Sequence, residues 1–192
     1  LEFRRVLFRS HRQLHPDVVV DAILAKKNLG TTRLDAPFVI GVGPGFSAGR
    51  DVNVVIETMR GHNLGRCIYD GEAEPNTGIP GNVGGYTHER VIHSPKAGLF
   101  TAKRHIGDEV QANEVIGYVD EEPVRAKITG TLRGILKTGL IVSDHFKLAD
   151  VDARCEESHC YSISDKSLAV GGGVLEAVTA WDYERNKDGK HL

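Results

Sequence analysis

The 192-residue sequence has few cysteines, no long apolar run and no excess of charge of one sign. Three cysteines are too few for a disulfide scaffold, which favours a reducing compartment, so we expect a cytoplasmic protein. No run of about 18 apolar residues that could span a bilayer occurs. The net charge of −2 and the pI near 6.5 lack the basic excess of nucleic-acid-binding proteins. We therefore expect neither membrane nor nucleic acid among its partners.

Glycine is absent from the first 29 residues, although 22 glycines follow. Residues 1–12 begin with Leu-Glu-Phe, which cloning linkers often encode, and we interpret them as a cloning or sequencing scar. Because an apolar run follows almost at once, at 18–24, we expect an N-terminally truncated piece of a longer protein. At the other end, residues 181–192 are polar and predict a frayed tail.

Residues 13–73 predict a partial Rossmann-like α/β domain with a parallel βαβ unit. The apolar runs at 18–24 and 38–43 are typical of strands that are covered on both faces. A third strand is expected at 66–69. Between them, Asp51 precedes apolar residues at helical spacing, namely Val52, Val55, Ile56 and Met59. The order strand, glycine loop, helix, strand predicts the α/β fold class.

The glycine loop of this unit is a candidate phosphate-binding site. Glycines at a helix N-terminus let a phosphate approach backbone N–H groups at the positive end of the helix dipole. An acid at the end of the next strand matches the position that binds ribose hydroxyls in dinucleotide-binding proteins. The alternative is an ordinary turn without a ligand. The predicted cofactor-binding residues here are Gly43, Gly45, Ser47, Gly49, Arg50 and Asp70.

Residues 74–90 form a glycine- and proline-rich loop or linker. Four glycines and two prolines between 74 and 86 exclude a helix and disfavour a strand. Long irregular segments within compact domains are usually functional or disordered. We expect an ordered binding loop, with a domain linker as the alternative. Its predicted cofactor-binding residues are Asn76, Thr77 and Gly78.

Residues 91–152 contain an internal repeat at an offset of 32 residues. Gly98 coincides with Gly130, and Asp120 coincides with Asp152. The pattern predicts a duplicated all-β module that resembles the barrel-sandwich hybrid of biotinyl and lipoyl carriers. Those carriers present a lysine at the turn between their halves. The equivalent turn at 120–123 has no lysine, so we expect neither biotin nor lipoate as a cofactor.

Residues 153–180 predict a short C-terminal α/β segment that packs back on the first domain. Three consecutive glycines at 171–173 either break a helix or let another backbone or a ligand come close. Asp165 and Lys166 are the candidates for acid–base catalysis or phosphate contact, with a salt-bridged helix cap as the alternative. No metal is identified, because a zinc site would need further ligands beside Cys155, His159 and Cys160.

Several longer motifs occur together, including EPNTGIPG at 74–81, ISDK at 163–166 and GGGVLEA at 171–177. With the motifs at 17–22, 25–28, 43–46 and 57–62, they resemble the YqeB-type proteins of the selenium-dependent molybdenum hydroxylase maturation system. The resemblance covers about residues 15–178. It implies an accessory protein that helps to produce active molybdenum hydroxylases. The implied ligand is a nucleotide or a molybdopterin-type cofactor, and the implied partners are a hydroxylase apo-enzyme or other cofactor-maturation proteins.

Three functions stay open on the sequence alone. The first is a maturation factor that binds its cofactor at the glycine-rich loops. The second is a nucleotide-dependent enzyme of molybdenum cofactor modification, an oxidoreductase or a nucleotidyltransferase, using Asp165, Lys166 or Asp70. The third is a non-catalytic scaffold that docks the target hydroxylase. The sequence identifies no nucleophile–base pair and no paired catalytic carboxylates, and it leaves catalysis and homo-oligomer formation open.

Overall fold

The computed structural model describes residues 14–188, which divide into two compact units. Of these residues, unit 1 contains 14–77 and 164–188, and unit 2 contains Gly78–Ile163. The predicted scar at 1–12 lies outside the described residues. Among the residues described, no helix is both long enough and apolar enough to cross a membrane.

The chain is mixed α/β, with most of its regular structure in strands and one long helix near the C-terminal end. The strands of unit 1 are β1 (Val18–Asp21), β2 (Phe38–Val42), β3 (Ser47–Ala48), β4 (Val54–Ile56), β5 (Cys67–Ile68) and β6 (Gly71–Glu72). The strands of unit 2 are β7 (Val91–His93), β8 (Gly98–Ala102), β9 (Glu109–Val110), β10 (Val115–Val119), β11 (Glu122–Arg125), β12 (Gly130–Ile135), β13 (Leu140–Val142) and β14 (Lys147–Asp152). A 3₁₀ turn spans Glu157–Cys160, and helix α1 spans Asp165–Asp188.

The main sheet of unit 1 has the strand order β1-β2-β4-β5. Strands β1, β2 and β4 are parallel, and β5 runs antiparallel to β4. Helix α1 packs on one face of this sheet, and the antiparallel ribbon of β3 and β6 covers the other. Strands β2 and β4 are therefore continuous runs of buried residues, as the apolar pattern of β2 predicts.

The helix predicted from Asp51 is wrong. The structure has strand β4 there, and Val54, Val55 and Ile56 are fully buried. Val52, Val55 and Ile56 fit a helical spacing, but three consecutive branched residues that are buried on both faces favour a strand. The connection from β2 to β4 therefore contains no helix, and the predicted βαβ unit does not form.

Helix α1 packs on the sheet through one apolar stripe. The stripe has helical spacing and consists of Val170, Val174, Ala177, Val178 and Trp181. The Trp181 ring stacks on Phe38 with a centroid distance of 5.3 Å, and Arg185 donates to Asp17 at 2.6 Å. Because these contacts hold the last turns of the helix, the tail predicted from residue 181 is helical as far as Asp188.

The three glycines at 171–173 do not break helix α1. A Cβ atom on Gly173 would overlap the carbonyl oxygen of Gly65, so the backbone approach requires glycine there. The Gly173 carbonyl also accepts a hydrogen bond from Cys67 Sγ at 3.1 Å. By contrast, a Cβ atom on Gly171 or Gly172 would have no atom within 4 Å. The sequence left open whether these glycines break a helix or let another backbone or a ligand come close. The structure has the close approach of a backbone, at Gly173.

Residues 153–180 do not form the predicted α/β segment. The described residues of this range contain no strand, and those up to Ile163 belong to unit 2. The Ser164 hydroxyl accepts a hydrogen bond from the Ser167 backbone N–H at 3.1 Å, which caps helix α1. Because helix α1 begins directly after this cap, the residues from Asp165 onward are helical and form no strand.

Unit 2 consists of two four-stranded sheets, with the orders β11-β10-β8-β13 and β7-β14-β12-β9. Strands β7 to β10 lie in the first copy of the repeat and correspond in order to β11 to β14 in the second. Exchanging the two copies converts one sheet order into the other, so each sheet contains strands of both copies. A single apolar core receives side chains from both sheets. Over the described residues these sheets do not close into a barrel. The duplicated all-β module that the repeat predicts is therefore present, without a closed barrel.

The packing of helix α1 makes opposite predictions for two adjacent glycines. Gly172→Ala should raise the free energy of unfolding by up to about 1 kcal/mol, because alanine favours the helix and has open space there. Gly173→Ala should lower it by about 1–3 kcal/mol, because the new methyl group meets the Gly65 backbone. Urea unfolding of both variants measures the difference. Equal stability of the two variants would contradict the close approach.

Candidate functional site

The carboxyl ends of β1, β2 and β4 meet at one edge of the unit 1 sheet, which we call the carboxyl edge. The registers pair Val19 with Val39 and Val42 with Ile56, so the three strands end side by side. In open α/β sheets, ligands usually bind beyond this end of the strands. The segments that leave the strands there are therefore the first place to look for a site.

A glycine turn at 43–45 follows β2 at the carboxyl edge. The Gly43 backbone N–H donates to the Ile56 carbonyl at 2.9 Å, and its φ of +85° favours glycine. A Cβ atom on Gly43 would lie 2.9 Å from Thr58 Oγ1. Gly45 has a φ of +105°, and a Cβ atom there would lie 2.7 Å from the Lys27 backbone nitrogen. Both glycines of this turn are thus required by close packing as well as by conformation.

Glu57 follows β4 and is a buried carboxylate at the same edge, with 3% of its surface exposed. Its Oε1 accepts hydrogen bonds from the backbone N–H groups of Thr58 and Met59, both at 2.6 Å. Its Oε2 accepts one from the Glu74 backbone N–H at 2.8 Å. Three donors compensate the burial of this acid, so Glu57 fixes two neighbouring segments of the edge.

Charged groups from three parts of the chain act on Lys166, in the first turn of helix α1. Arg60 binds Asp165 through two hydrogen bonds, at 2.7 and 3.0 Å. Burial lowers the pKa of the half-buried Lys166 most, and the charges of Lys26 and Arg60 lower it further. The Glu57 carboxylate opposes this effect. Lys166 is therefore a half-buried cation with both cationic and acidic neighbours, and one of these cations, Arg60, is paired with Asp165.

Residues 74–77 also reach the carboxyl edge. Strand β6 runs antiparallel to β3, and the chain then passes Glu57 through the hydrogen bond to Glu74. The predicted site residues Asn76 and Thr77 follow directly, in unit 1. Gly78 is the first residue of unit 2. The unit boundary thus divides the predicted binding loop.

The structure separates the remaining residues of the predicted phosphate loop from its first two glycines. The chain after the turn returns to the amino end of the sheet, where the Asn53 backbone N–H donates to Val39 at 2.8 Å. Ser47 and Gly49 lie on this return, and Arg50 binds Asp51 at 3.2 Å and Glu72 at 3.6 Å. The hydrogen bond from Arg50 lowers the pKa of the Asp51 carboxyl. The sequence placed these residues at the N-terminus of a helix from Asp51. Because that helix does not form, Ser47, Gly49 and Arg50 do not lie beside the glycine turn.

Asp70 lies at the opposite edge from the glycine turn. Strand β5 is antiparallel to β4, with Ile56 beside Cys67, so the chain after Ile68 leaves at the amino end of β4. Only ten residues, 57–66, connect the two strands, which is short for a crossover to a parallel strand. Asp70 therefore does not occupy the position of a ribose-binding acid.

Lys26, Glu57 and Arg60 were not among the predicted site residues, although they lie in motifs that carry the family resemblance. Each lies within a few residues of the end of an apolar run that forms a parallel strand. Polar residues shortly after such runs are the sequence signal that could have identified them.

The polar cluster at the end of unit 2 is centred on Asp152. This carboxylate is 2% exposed and accepts hydrogen bonds from Arg154 Nη2 at 2.6 Å and Nε at 2.9 Å. These bonds are the main cause that lowers its pKa to about 2. His159 Nδ1 lies 4.0 Å from the same carboxylate. The cluster is an ion-paired anchor for the segment that follows β14.

The two cysteines near this cluster do not form a metal site. Cys155 is exposed, and Cys160 is half-buried with its thiol 3.8 Å from the Leu132 carbonyl oxygen. Burial raises the pKa of the Cys160 thiol, which favours the neutral form. Within residues 14–188, no group of three or more His, Cys, Asp or Glu side chains could hold a metal ion.

A groove of about 410 Å³ also lies on unit 2. It runs over the paired strands β12 and β14, and its charged lining residues are Arg133, Lys147 and Asp150. None of the predicted site residues lines it. Asp150 is bound there by Arg90 at 2.6 Å.

Comparison with known proteins gives one clear relative. No family model matches the chain. The uncharacterized protein YqeB of Escherichia coli strain K12 is 51% identical over 166 residues, which is 86% of this chain. The chain is similar to YqeB. It spans 31% of the length of YqeB, and the identity supports the predicted resemblance to YqeB-type proteins without stating an activity.

Two solved structures are weakly similar. One is an aspartoacylase family protein from Mesorhizobium loti, with 21% identity over 33% of this chain and 23% of that chain and a TM-score of 0.32. The other is the product-bound ectoine utilization protein EutE (DoeB) from Ruegeria pomeroyi, with 17% identity, 44% and 27% coverage and a TM-score of 0.30. Likenesses this weak assign neither a fold nor a function.

The buried Asp152 predicts a specific loss of stability in acid. Its folded pKa of about 2 lies below the ordinary 3.8, so its contribution is complete above about pH 4 and is lost as the pH falls through 2. The shift corresponds to about 2 kcal/mol. Asp152→Asn should therefore lower the free energy of unfolding at pH 7, and its difference from the wild type should shrink between pH 4 and 2. Urea unfolding across this range measures it.

Asp144→Asn, at an exposed aspartate of unit 2, is the control for this series. A difference between Asp152→Asn and the wild type that stays constant from pH 7 to pH 2 would contradict the anchoring role.

Proposed function

We propose that the chain binds the phosphate of a nucleotide or pterin-nucleotide cofactor at the carboxyl edge of unit 1. We propose further that it does so as an accessory protein in the maturation of selenium-dependent molybdenum hydroxylases. The observation that carries the binding proposal is the hydrogen-bonded pair of Arg60 and Asp165, which joins the segment after β4 to the first turn of helix α1 and so brings Lys166 to the carboxyl edge. The charge of Lys26 also acts on Lys166. This proposal moves the phosphate contact from the predicted loop at 43–50 to residues that converge from three separate parts of the chain.

The geometry of the edge suits a phosphate for two reasons. First, the cations raise the potential around Lys166, and a bound anion would relieve their mutual repulsion. Second, Glu57 accepts three backbone hydrogen bonds and Asp165 accepts two from Arg60, so both acids already have partners within the protein.

The maturation role is inferred from the family resemblance. The motifs at 57–62, 74–81 and 163–166, which carry that resemblance, include Glu57, Arg60, Lys166 and the segment that Glu57 holds. A site built from family motifs is a reasonable place for the family's function. The partners that this role implies are the hydroxylase apo-enzyme or other cofactor-maturation proteins in the cytoplasm.

We also propose a Rossmann-like origin for unit 1 and a barrel-sandwich hybrid for unit 2. The parallel strands β1, β2 and β4, with a candidate site at their carboxyl ends, support a Rossmann-like origin for unit 1 despite the missing helix. The exchange of strands between the two copies of the repeat supports a barrel-sandwich hybrid for unit 2. In such a module the turn after β10 would present Asp120 and Glu121, and no lysine, in keeping with a role other than that of a biotin or lipoate carrier.

Ligand binding by the purified chain tests the proposal directly. Isothermal titration with CTP, ATP, NAD and molybdopterin cytosine dinucleotide should give binding by at least one phosphate-bearing ligand. Lys166→Ala should weaken this binding about tenfold or more, since a hydrogen bond to a charged group contributes about 1.5–3 kcal/mol. Lys137→Ala removes the same charge from an exposed position of unit 2 and should leave binding unchanged.

Arg50→Ala separates the structural site from the loop predicted by sequence. If the ligand binds at the predicted loop, this variant should bind it more weakly. If the ligand binds at the carboxyl edge, this variant should bind it as well as the wild type does. Absence of binding by every ligand, in a chain that circular dichroism finds folded, would overturn the proposal. Equal affinities of Lys166→Ala and Lys137→Ala would overturn the location of the site.

A further inference from the structure

The groove on unit 2 lies over a bulge in the pairing of β12 with β14. Leu132 pairs with Val151 and Gly134 pairs with Asp150, so Arg133 is an extra residue of β12. Bulges of this kind redirect a side chain out of the regular ladder. Arg133 and Gly134 both line the groove, which has a volume of about 410 Å³. The groove therefore coincides with the irregular part of the pairing.

Gly134 leaves the floor of the groove without a side chain. A Cβ atom there would lie 3.9 Å from the Cβ atom of Asp150, which is an ordinary contact. Among the described residues, no backbone atom of another strand lies within 4 Å of that position. Glycine inside a strand often marks a bulge or the close approach of a ligand or another backbone. Since no other backbone approaches Gly134, the space above it is open to a ligand.

Two cations with free donors line the groove, Arg133 and Lys147. The Arg133 side chain is 28% exposed, and its Nη1 lies 3.8 Å from Asp152 Oδ2, which is beyond hydrogen-bond distance. That carboxylate already accepts two hydrogen bonds from the Arg154 guanidinium, at 2.6 and 2.9 Å. Within residues 14–188, the Arg133 guanidinium donates no hydrogen bond, and the exposed Lys147 ammonium has neither a hydrogen bond nor an ion pair. Their N–H groups are therefore available to an anion.

The acid that lines the groove already has a partner. Arg90 Nη1 donates to Asp150 Oδ1 at 2.6 Å, and both side chains are mostly buried. Because this pair is neutral as a whole, the groove keeps the positive charges of Arg133 and Lys147. The apolar lining residues are Ile135, Leu136, Leu148 and Ala149. The groove thus complements a ligand that has anionic groups at its ends and an apolar group between them.

The register of the strands sets the separation of the two cations. The Leu136 backbone N–H donates to the Leu148 carbonyl oxygen at 2.8 Å, so Lys147 lies opposite residue 137. That position is four residues beyond Arg133, which corresponds to roughly 13 Å along a strand. In an extended peptide, the side chains of residues i and i+4 lie on one face at the same separation. A peptide that runs along the groove would therefore place acidic side chains at both cations.

We propose that this groove binds an extended acidic segment of a partner protein, with carboxylates at positions i and i+4 and an apolar side chain at i+2. The carboxylates bind Arg133 and Lys147, and the apolar side chain packs against Ile135. The site lies within unit 2, so it goes beyond the nucleotide site proposed for unit 1 and adds an interaction surface for a protein.

Short peptides test the charge and the spacing of the ligand. The probe is the capped peptide Glu-Ser-Leu-Ser-Glu, titrated into the isotope-labelled full chain and followed by nuclear magnetic resonance. It should bind, with chemical-shift changes concentrated at residues 133–136 and 147–150. The peptide Lys-Ser-Leu-Ser-Lys should bind at least tenfold more weakly. The peptide Ser-Glu-Leu-Glu-Ser has the same composition as the probe, but its glutamates are closer together and face away from the leucine, so it should also bind at least tenfold more weakly.

Charge variants of the chain test the two cations. Lys147→Ala and Arg133→Ala should each weaken binding of the probe about tenfold, since each removes a hydrogen bond between charged groups. Lys103→Ala and Arg125→Ala remove the same charges from exposed positions of the other sheet, beside β8 and on β11, and should change binding less than about threefold. Added salt should weaken binding of the probe by the wild type.

Gly134 offers a variant that changes the shape of the groove without changing its charge. Gly134→Leu should reduce binding of the probe more than tenfold, because the new side chain occupies the groove. The fold should persist, because a Cβ atom at this position meets Asp150 at an ordinary contact distance. Gly134→Ala adds only that Cβ atom and should bind the probe within about threefold of the wild type.

Each possible result decides for or against this inference. It is overturned if the wild type does not bind the probe, or binds the lysine peptide equally well. It is also overturned if Lys147→Ala and Gly134→Leu, found folded by circular dichroism, bind the probe like the wild type. Equal affinity for the two glutamate peptides would overturn the extended arrangement of the ligand. None of these measurements involves a nucleotide, so a failure here is distinguishable from a failure of the proposed function.

Discussion

The burial of the Glu57 carboxylate is the constraint on which the candidate site depends. An acid with 3% of its surface exposed needs hydrogen-bond donors, and Glu57 takes them from the segment that follows β4 and from Glu74. Two parts of the chain that would otherwise leave the sheet independently are joined at one carboxylate. The first carries Arg60 and the second leads to Asn76 and Thr77. The chain after β4 and the chain after β6 therefore meet at one buried carboxylate.

The close approach of helix α1 to the sheet supplies the other half of the site. Gly173 lets the helix backbone rest on Gly65, in the connection between β4 and β5. The same packing places the first turn of the helix so that Asp165 meets Arg60. Residues more than a hundred positions apart in the chain can therefore meet because neither Gly65 nor Gly173 has a side chain, and a Cβ atom at either position would overlap the other backbone. The apolar stripe that ends at Trp181 then stabilises this arrangement.

The sequence predicts those parts of the fold that leave a periodic pattern. Strands β1 and β2 follow from apolar runs, and the two-copy order of unit 2 follows the repeat at an offset of 32 residues. The prediction of a helix from Asp51 fails because Val54–Ile56 form strand β4, where both faces of the sheet are covered. Because of this error, the sequence placed Arg50 and Asp70 at the site, where the structure does not have them. The position of Asp70 depends on the direction of β5. Strand direction is set by long-range pairing, as in β5, which local periodicity does not contain.

The repeat in unit 2 illustrates how one sequence pattern acquires two different environments. Asp120 and Asp152 occupy the same position in the two copies, one just after β10 and the other at the end of β14. Asp120 lies in the turn to β11 and is 47% exposed, with Lys96 at 3.4 Å. Asp152 is instead followed by residues 153–163, which exist only after the second copy and supply both Arg154 and His159. A difference in the succeeding chain therefore converts an exposed turn residue into a buried ion-paired anchor, and the symmetry of the strands does not extend to the chemistry of their ends.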